Sequence, residues 1–75
     1  MKKTVHIFLR SVDDVKNIAS IAKEMEGEVT IFSGRYCIDA KSILGIFVLN
    51  LSGSLELEIE NWKDEYEAML EPYMV

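Results

Sequence analysis

Cysteine, proline and histidine each occur once in this 75-residue chain, and no apolar run in it is long. A lone Cys37 excludes an internal disulfide and any metal site built from several thiolates, and it fits a reducing compartment. The lone His6 has no serine, cysteine or metal-ligand set around it in sequence. Lys2 and Lys3 precede an apolar run, but residues 5–9 stop at Arg10. A secretory signal core needs ~7–15 apolar residues and a membrane helix ~20. Residues 43–51 form the longest later run, broken by Gly45 and Asn50. The expectation is a cytoplasmic protein with no targeting segment and no membrane contact. Positive charge is also scarce, with 8 basic residues against 13 acidic ones and a net charge of −5. Nucleic acid and anionic membranes select the opposite balance, so neither is expected as a partner.

What is present is a globular composition, 49% hydrophobic and 28% charged, too apolar for a disordered chain. At this length one domain over residues 1–75 is expected. Such a domain buries only ~60% of its unfolded surface, so function is expected on the exterior and not in a deep cavity.

The pattern along the chain alternates between two periods. Residues 4–9 place Val5, Ile7 and Leu9 on one face and Thr4, His6 and Phe8 on the other, which is a strand. Ser11 opens a helix, with Asp14 in the acidic version of a capping box and Asp13 beside the positive helix end. Val15, Ile18, Ala19, Ala22 and Met25 recur at helical spacing, and Gly27 ends the helix. Residues 28–33 and 35–39 read as a hairpin around Ser33 and Gly34. Ser42 caps a short helix anchored by Ile43, Ile46 and Leu49, with Asn50, Ser52 and Gly53 ending it. Residues 54–60 alternate strictly, Leu55, Leu57 and Ile59 against Glu56, Glu58 and Glu60. Asn61 is expected to cap a last helix, with Asp64 in its box and Trp62, Tyr66, Met69 and Tyr73 as its stripe. Pro72 ends regular helix there. Each strand has one apolar face and each helix one apolar stripe, so they bury one another in a two-layer α+β arrangement.

The element order and the run Lys41, Ser42, Ile43, Leu44, Gly45, followed by apolar residues 46–49, resemble HPr. HPr is the histidine-containing phosphocarrier protein of the bacterial phosphotransferase system for sugar uptake. The family's regulatory serine lies in such a Lys-Ser-Ile-x-Gly helix start. The resemblance covers roughly residues 4–70. It implies an open-faced sandwich, a four-stranded antiparallel sheet in the order first, fourth, second, third strand, with three helices on one face.

The family's chemistry needs a histidine at the start of the first helix, followed by Ala-Arg-Pro. A neutral imidazole accepts the phosphoryl group, the helix N-terminus and the arginine hold the anion, and proline presets the first turn. Counted back from Ser42, the histidine position falls on Ser11 and the next three on Val12, Asp13 and Asp14. Every part of that site is lost, and Asp13 inverts the arginine's charge. No catalytic residue, cofactor or metal is expected, and the chain is not expected to be an enzyme.

Ser11 then reads as a helix cap in a degenerate acceptor position. Ser42 is the candidate for regulatory phosphorylation, with Lys41 adjoining it. Lys41, Leu44, Phe47 and Val48 are the candidate docking residues, because Leu44 and Phe47 face out when Ile43, Ile46 and Leu49 face the sheet. A sub-branch of the family lacks the histidine, keeps the serine and acts as a co-repressor in carbon catabolite repression. The expected role is a regulatory, protein-binding HPr-like domain. Its partner would be a phosphotransferase-system enzyme, a serine kinase or a transcriptional regulator. Two alternatives stand beside it: phosphotransfer through His6 or Ser11, and an interaction module unrelated to sugar uptake. Phe8 and Phe32, outward on the sheet, either cover its open face or mark a homodimer surface. His6 is expected to pair across strands with Glu56 or Glu58. The acids of residues 56–71 read as a solvated face.

Overall fold

Strict alternation in residues 55–59 demands one dry face, and the structure supplies it. The computed structural model describes residues 1–49 and 53–75. In chain order the elements are β1 (Lys3–Ile7), α1 (Val12–Glu24), β2 (Val29–Ser33), β3 (Tyr36–Asp39), α2 (Ile43–Phe47), β4 (Leu55–Ile59) and α3 (Glu65–Leu70), with a short 3₁₀ turn over Glu71–Tyr73. The four strands form one antiparallel sheet in the order β1-β4-β2-β3. Leu57 lies between Val5 and Ile31, and Glu56 lies between His6 and Phe32. The two faces therefore separate cleanly.

Val5, Ile7, Val29, Ile31, Leu55, Leu57 and Ile59 are buried. They meet Val15, Ile18, Ala19 and Ala22 of α1, Ile46 of α2, and Tyr66 and Leu70 of α3 in one core. Each aliphatic side chain so buried contributes about 1.5–3 kcal/mol. A one-residue slip of β4 would turn Glu56 and Glu58 into that core, which fixes the register. The opposite face is bare, with His6, Cys37, Asp39 and Glu56 exposed. This is the α+β open-faced layering and the strand order that the resemblance implies. No helix among the described residues is long and apolar enough to cross a membrane.

The two sheet edges are treated differently. The chain's last residues lie along β1: Phe8 N–H donates to Tyr73 O at 2.7 Å, Val75 N–H donates to His6 O at 3.1 Å, and Met74 bridges Ile7. β1 stops at Ile7 and not at Leu9 because its partner β4 begins at Leu55, the residue that faces Ile7. At the other edge, β3 pairs with β2 alone. The β2–β3 turn has Gly34 at φ +59° and no positive φ at Arg35, the pattern of a II′ turn with glycine first.

The last helix departs most from the pattern. It begins at Glu65 and not after Asn61, and Asp64 at its cap makes no side-chain hydrogen bond. Trp62 N–H donates to Met1 O at 2.8 Å, which ties residue 62 to the N-terminus and delays the helix. The Trp62 ring meets Tyr66 edge-on at 5.9 Å, and the Lys3 ammonium lies 4.4 Å from its centroid. Trp62, Met69 and Tyr73 are half-buried; the fully buried position is Leu70, which the expected stripe omits. His6 does face Glu56, but no ion pair joins them: among the described residues the ion pairs are Lys2–Glu58 and Lys63–Glu26. Asn50 and Ser52, expected to end the second helix, lie outside the described residues together with Leu51.

Candidate functional site

The candidate site is built on the connection from β3 into α2. Asp39 Oδ1 accepts from Lys41 N–H at 2.9 Å, and Asp39 O accepts from Ser42 N–H at 3.0 Å. Ser42 then sits in extended backbone, φ −102° and ψ 106°, as the N-cap. Its Oγ accepts from Gly45 N–H at 3.1 Å and its carbonyl accepts from Ile46 N–H at 3.1 Å. The hydroxyl thereby satisfies one of the amides that every helix start leaves without a partner.

Gly45 explains why so short a helix holds its place. A Cβ there would lie 2.7 Å from Ile38 Cγ2 of β3 and 3.3 Å from Ser42 Oγ. Only glycine lets α2 sit this close to the sheet. Ile46 is wholly buried, Leu49 nearly so, and Ile43 packs at the margin. The opposite side of α2 is apolar too, and open: Leu44 is 79% exposed, Val48 72% and Phe47 42%. Thus Ser42, Leu44, Phe47 and Val48 are brought together on one exposed element, as the spacing predicts.

Lys41 is placed elsewhere. Its ammonium donates to Gly27 O at 2.8 Å and to Met25 O at 3.2 Å, at the C-terminal end of α1. The side chain is half-buried in doing so. A cation completing the carbonyl end of a helix is a structural role, and sequence spacing carried no signal for a contact across fourteen or more residues.

The start of α1 uses the same device in a different setting. Ser11 Oγ accepts from Asp14 N–H at 3.2 Å, and Asp14 Oδ2 accepts from Arg10 N–H at 2.8 Å. This is a reciprocal box, displaced by one residue from the usual pairing. Asp13 is exposed beside it, so the helix start presents two carboxylates and no imidazole. His6 belongs to the bare face of the sheet. Of the acids in residues 56–71, Glu56, Glu60, Asp64, Glu65, Glu67 and Glu71 are exposed and Glu58 is half-buried; Glu56 and Glu58 lie on the bare sheet face and Glu65 and Glu67 on α3, so the run does not form one face. The two ion pairs are 3.5 and 3.7 Å long, with Glu58 half-buried and the other three partners exposed, and are worth ~0–1 kcal/mol each. Among the described residues there is no enclosed cavity and no group of three metal-ligating side chains.

No family model matches the chain, and no curated protein matches it.

Proposed function

We propose that the chain is an HPr-like, non-enzymatic protein-binding domain of the cytoplasm, lacking histidine phosphocarrier chemistry and docking its partner through α2. The observation that carries this reading is the exposed trio Leu44, Phe47 and Val48 on a helix already anchored by Ile46. A five-residue helix needs one apolar side to stay on the sheet. A second apolar side, facing water, has no use in folding and suits an interaction site. The sheet order and the Lys-Ser-Ile-x-Gly start of α2 support the kinship with HPr. The loss of histidine and arginine around Ser11 supports the loss of carrier activity.

Ser42 is the regulatory position in this reading. Its hydroxyl is exposed at the start of α2, where a phosphate would add roughly two negative charges beside the apolar trio. The partner is then a phosphotransferase-system enzyme or a transcriptional regulator that reads the charge, with a serine kinase setting it. Incubation with the family's serine kinase should label the protein, and Ser42→Ala should abolish the label. Incubation with phosphoenolpyruvate and the first enzyme of the system should leave no acid-labile phosphate. Label on His6 or Ser11 would overturn the non-carrier reading. Absence of any kinase label, with binding through Phe47 intact, would move the protein out of sugar-uptake regulation.

A further inference from the structure

We propose that β3 is a self-complementary edge through which two copies of this chain pair, joining their sheets into one of eight strands. The hydrogen-bond alternation shows which groups are available. Ala40 N–H donates to Val29 O at 2.8 Å, so the 29–40 pair is a bonded one. Counting along the register, 31–38 and 33–36 are bonded pairs, while 32–37 and 30–39 are not. The N–H and C=O of Cys37 and the N–H of Asp39 therefore point away from β2, toward the open side. Among the described residues nothing else covers them. The β1 edge is closed by the chain's own tail, and β3 has neither that cover nor the lysine, proline or bulge that usually guards an edge.

The residues on this edge match themselves. An antiparallel pair with its two-fold axis at Cys37 sets residue 36 against 38 and brings the turn residue 35, adjoining the strand, beside residue 39. Arg35 of one copy then lies next to Asp39 of the other, twice. Both are exposed, and among the described residues the Asp39 carboxylate uses only Oδ1 within its own chain. Tyr36, 58% exposed, would lie over the half-buried Ile38 of the second copy on the helix side of the sheet. Opposite charges and an aromatic against a β-branched residue are the favourable cross-strand pairs. No other register of this strand pairs both charges. The edge spans only Tyr36–Asp39, so the contact is small and belongs to the weak, transient class of interfaces.

The test is sedimentation equilibrium of the full chain under reducing conditions, from about 10 µM to 1 mM, with amide exchange read by NMR over the same range. The expected result is a dimer populated in the upper part of that range, with exchange of the Cys37 amide slowing as it forms and Phe47 unaffected. Arg35→Glu puts like charges opposite each other and should weaken dimerisation about tenfold. Cys37→Pro removes an N–H that faces away from the monomer's own ladder, and should abolish the dimer with the fold kept by circular dichroism. Should that variant fail to fold, Arg35→Glu alone decides. A monomer at 1 mM overturns the proposal. So does a dimer that Arg35→Glu leaves unchanged, or one whose formation perturbs Phe47 and not Cys37.

Discussion

The starts of α1 and α2 are the same device in opposite surroundings. Each opens on a serine whose Oγ accepts from the amide three residues on, at 3.2 Å for Ser11 and 3.1 Å for Ser42. Beyond the cap they diverge. The first turn of α1 carries Asp13 and Asp14, while that of α2 carries no charge. The thirteen-residue α1 commits Val15, Ile18, Ala19 and Ala22 to the core; the five-residue α2 commits Ile46 and leaves its other side apolar and exposed. A helix start that carries two carboxylates of its own has little attraction left for an incoming anion. One without them keeps the positive end of its amides unopposed. The comparison teaches that a cap's chemistry is set by the residues around it, and that α2 is the element with surface to spare.

The largest effect that tests this division lies within α2 itself. Ile46→Ala removes a wholly buried side chain and should cost about 2–5 kcal/mol in denaturant unfolding. Phe47→Ala, one residue on, should cost well under the ~3–5 kcal/mol of a buried phenylalanine, while reducing partner binding. If the two variants lose equal stability, α2 has no free side and the docking reading fails. Gly45→Ala comes next. Its methyl would meet Ile38 Cγ2 at 2.7 Å, so α2 must lift from β3, at a cost of ~1–3 kcal/mol. A melting temperature unchanged by this variant would mean that α2 is seated more loosely than the structure has it.

Much of this was legible in the pattern because period and burial agree. Leu55, Leu57 and Ile59 alternate with glutamates, and only one register buries the first set without the second. Ser11 and Ser42 were legible as caps because capping is a local interaction, decided within three residues. The order of the strands was not in the periodicity. β1 pairs with β4 across the whole chain, and that order came from the resemblance at residues 41–45. The start of α3 escaped for the same reason: Asn61 and Asp64 have cap spacing, but the bond from Trp62 to Met1 O, made sixty-one residues away, holds the segment out of the helix. Lys41 escaped too, since its ammonium is placed by tertiary packing. Local rules found what local interactions decide, and the misplaced residues are those held by distant partners.

The two caps themselves give a smaller and sharper contrast. Ser11→Ala should cost ~0.5–2 kcal/mol, since it frees the start of a helix that supplies four core residues. Ser42→Ala should lie at the low end of that range, because Asp39 already fixes the turn through the amides of Lys41 and Ser42. Aspartate is as good a cap as serine, so Ser42→Asp should fold with unchanged stability. Ser11→Asp should not, as it would add a third carboxylate beside Asp13 and Asp14. Thermal melts of the four variants at low salt order them. Equal melting temperatures for the two aspartate variants would remove the electrostatic half of the comparison.

The smallest expected effect concerns the contact of Lys41, which links the start of α2 to the end of α1 through charge. The Lys41 ammonium leaves the start of α2 and bonds the carbonyls of Met25 and Gly27, just past the last turn of α1. Those oxygens lie just past the helix, near the negative end of its dipole, and a cation there stabilises by ~0.3–1 kcal/mol, less when salt screens it. Lys41→Met keeps the apolar stem and removes only the charge and its donors. It should therefore lower stability by about that amount at low ionic strength and by less in 1 M salt. The amide protons in the last turn of α1 should exchange faster, and those of α2 should be unaffected. An identical loss at both salt concentrations would mean that Lys41 contributes through its packed stem alone, and the link between the helices would be apolar.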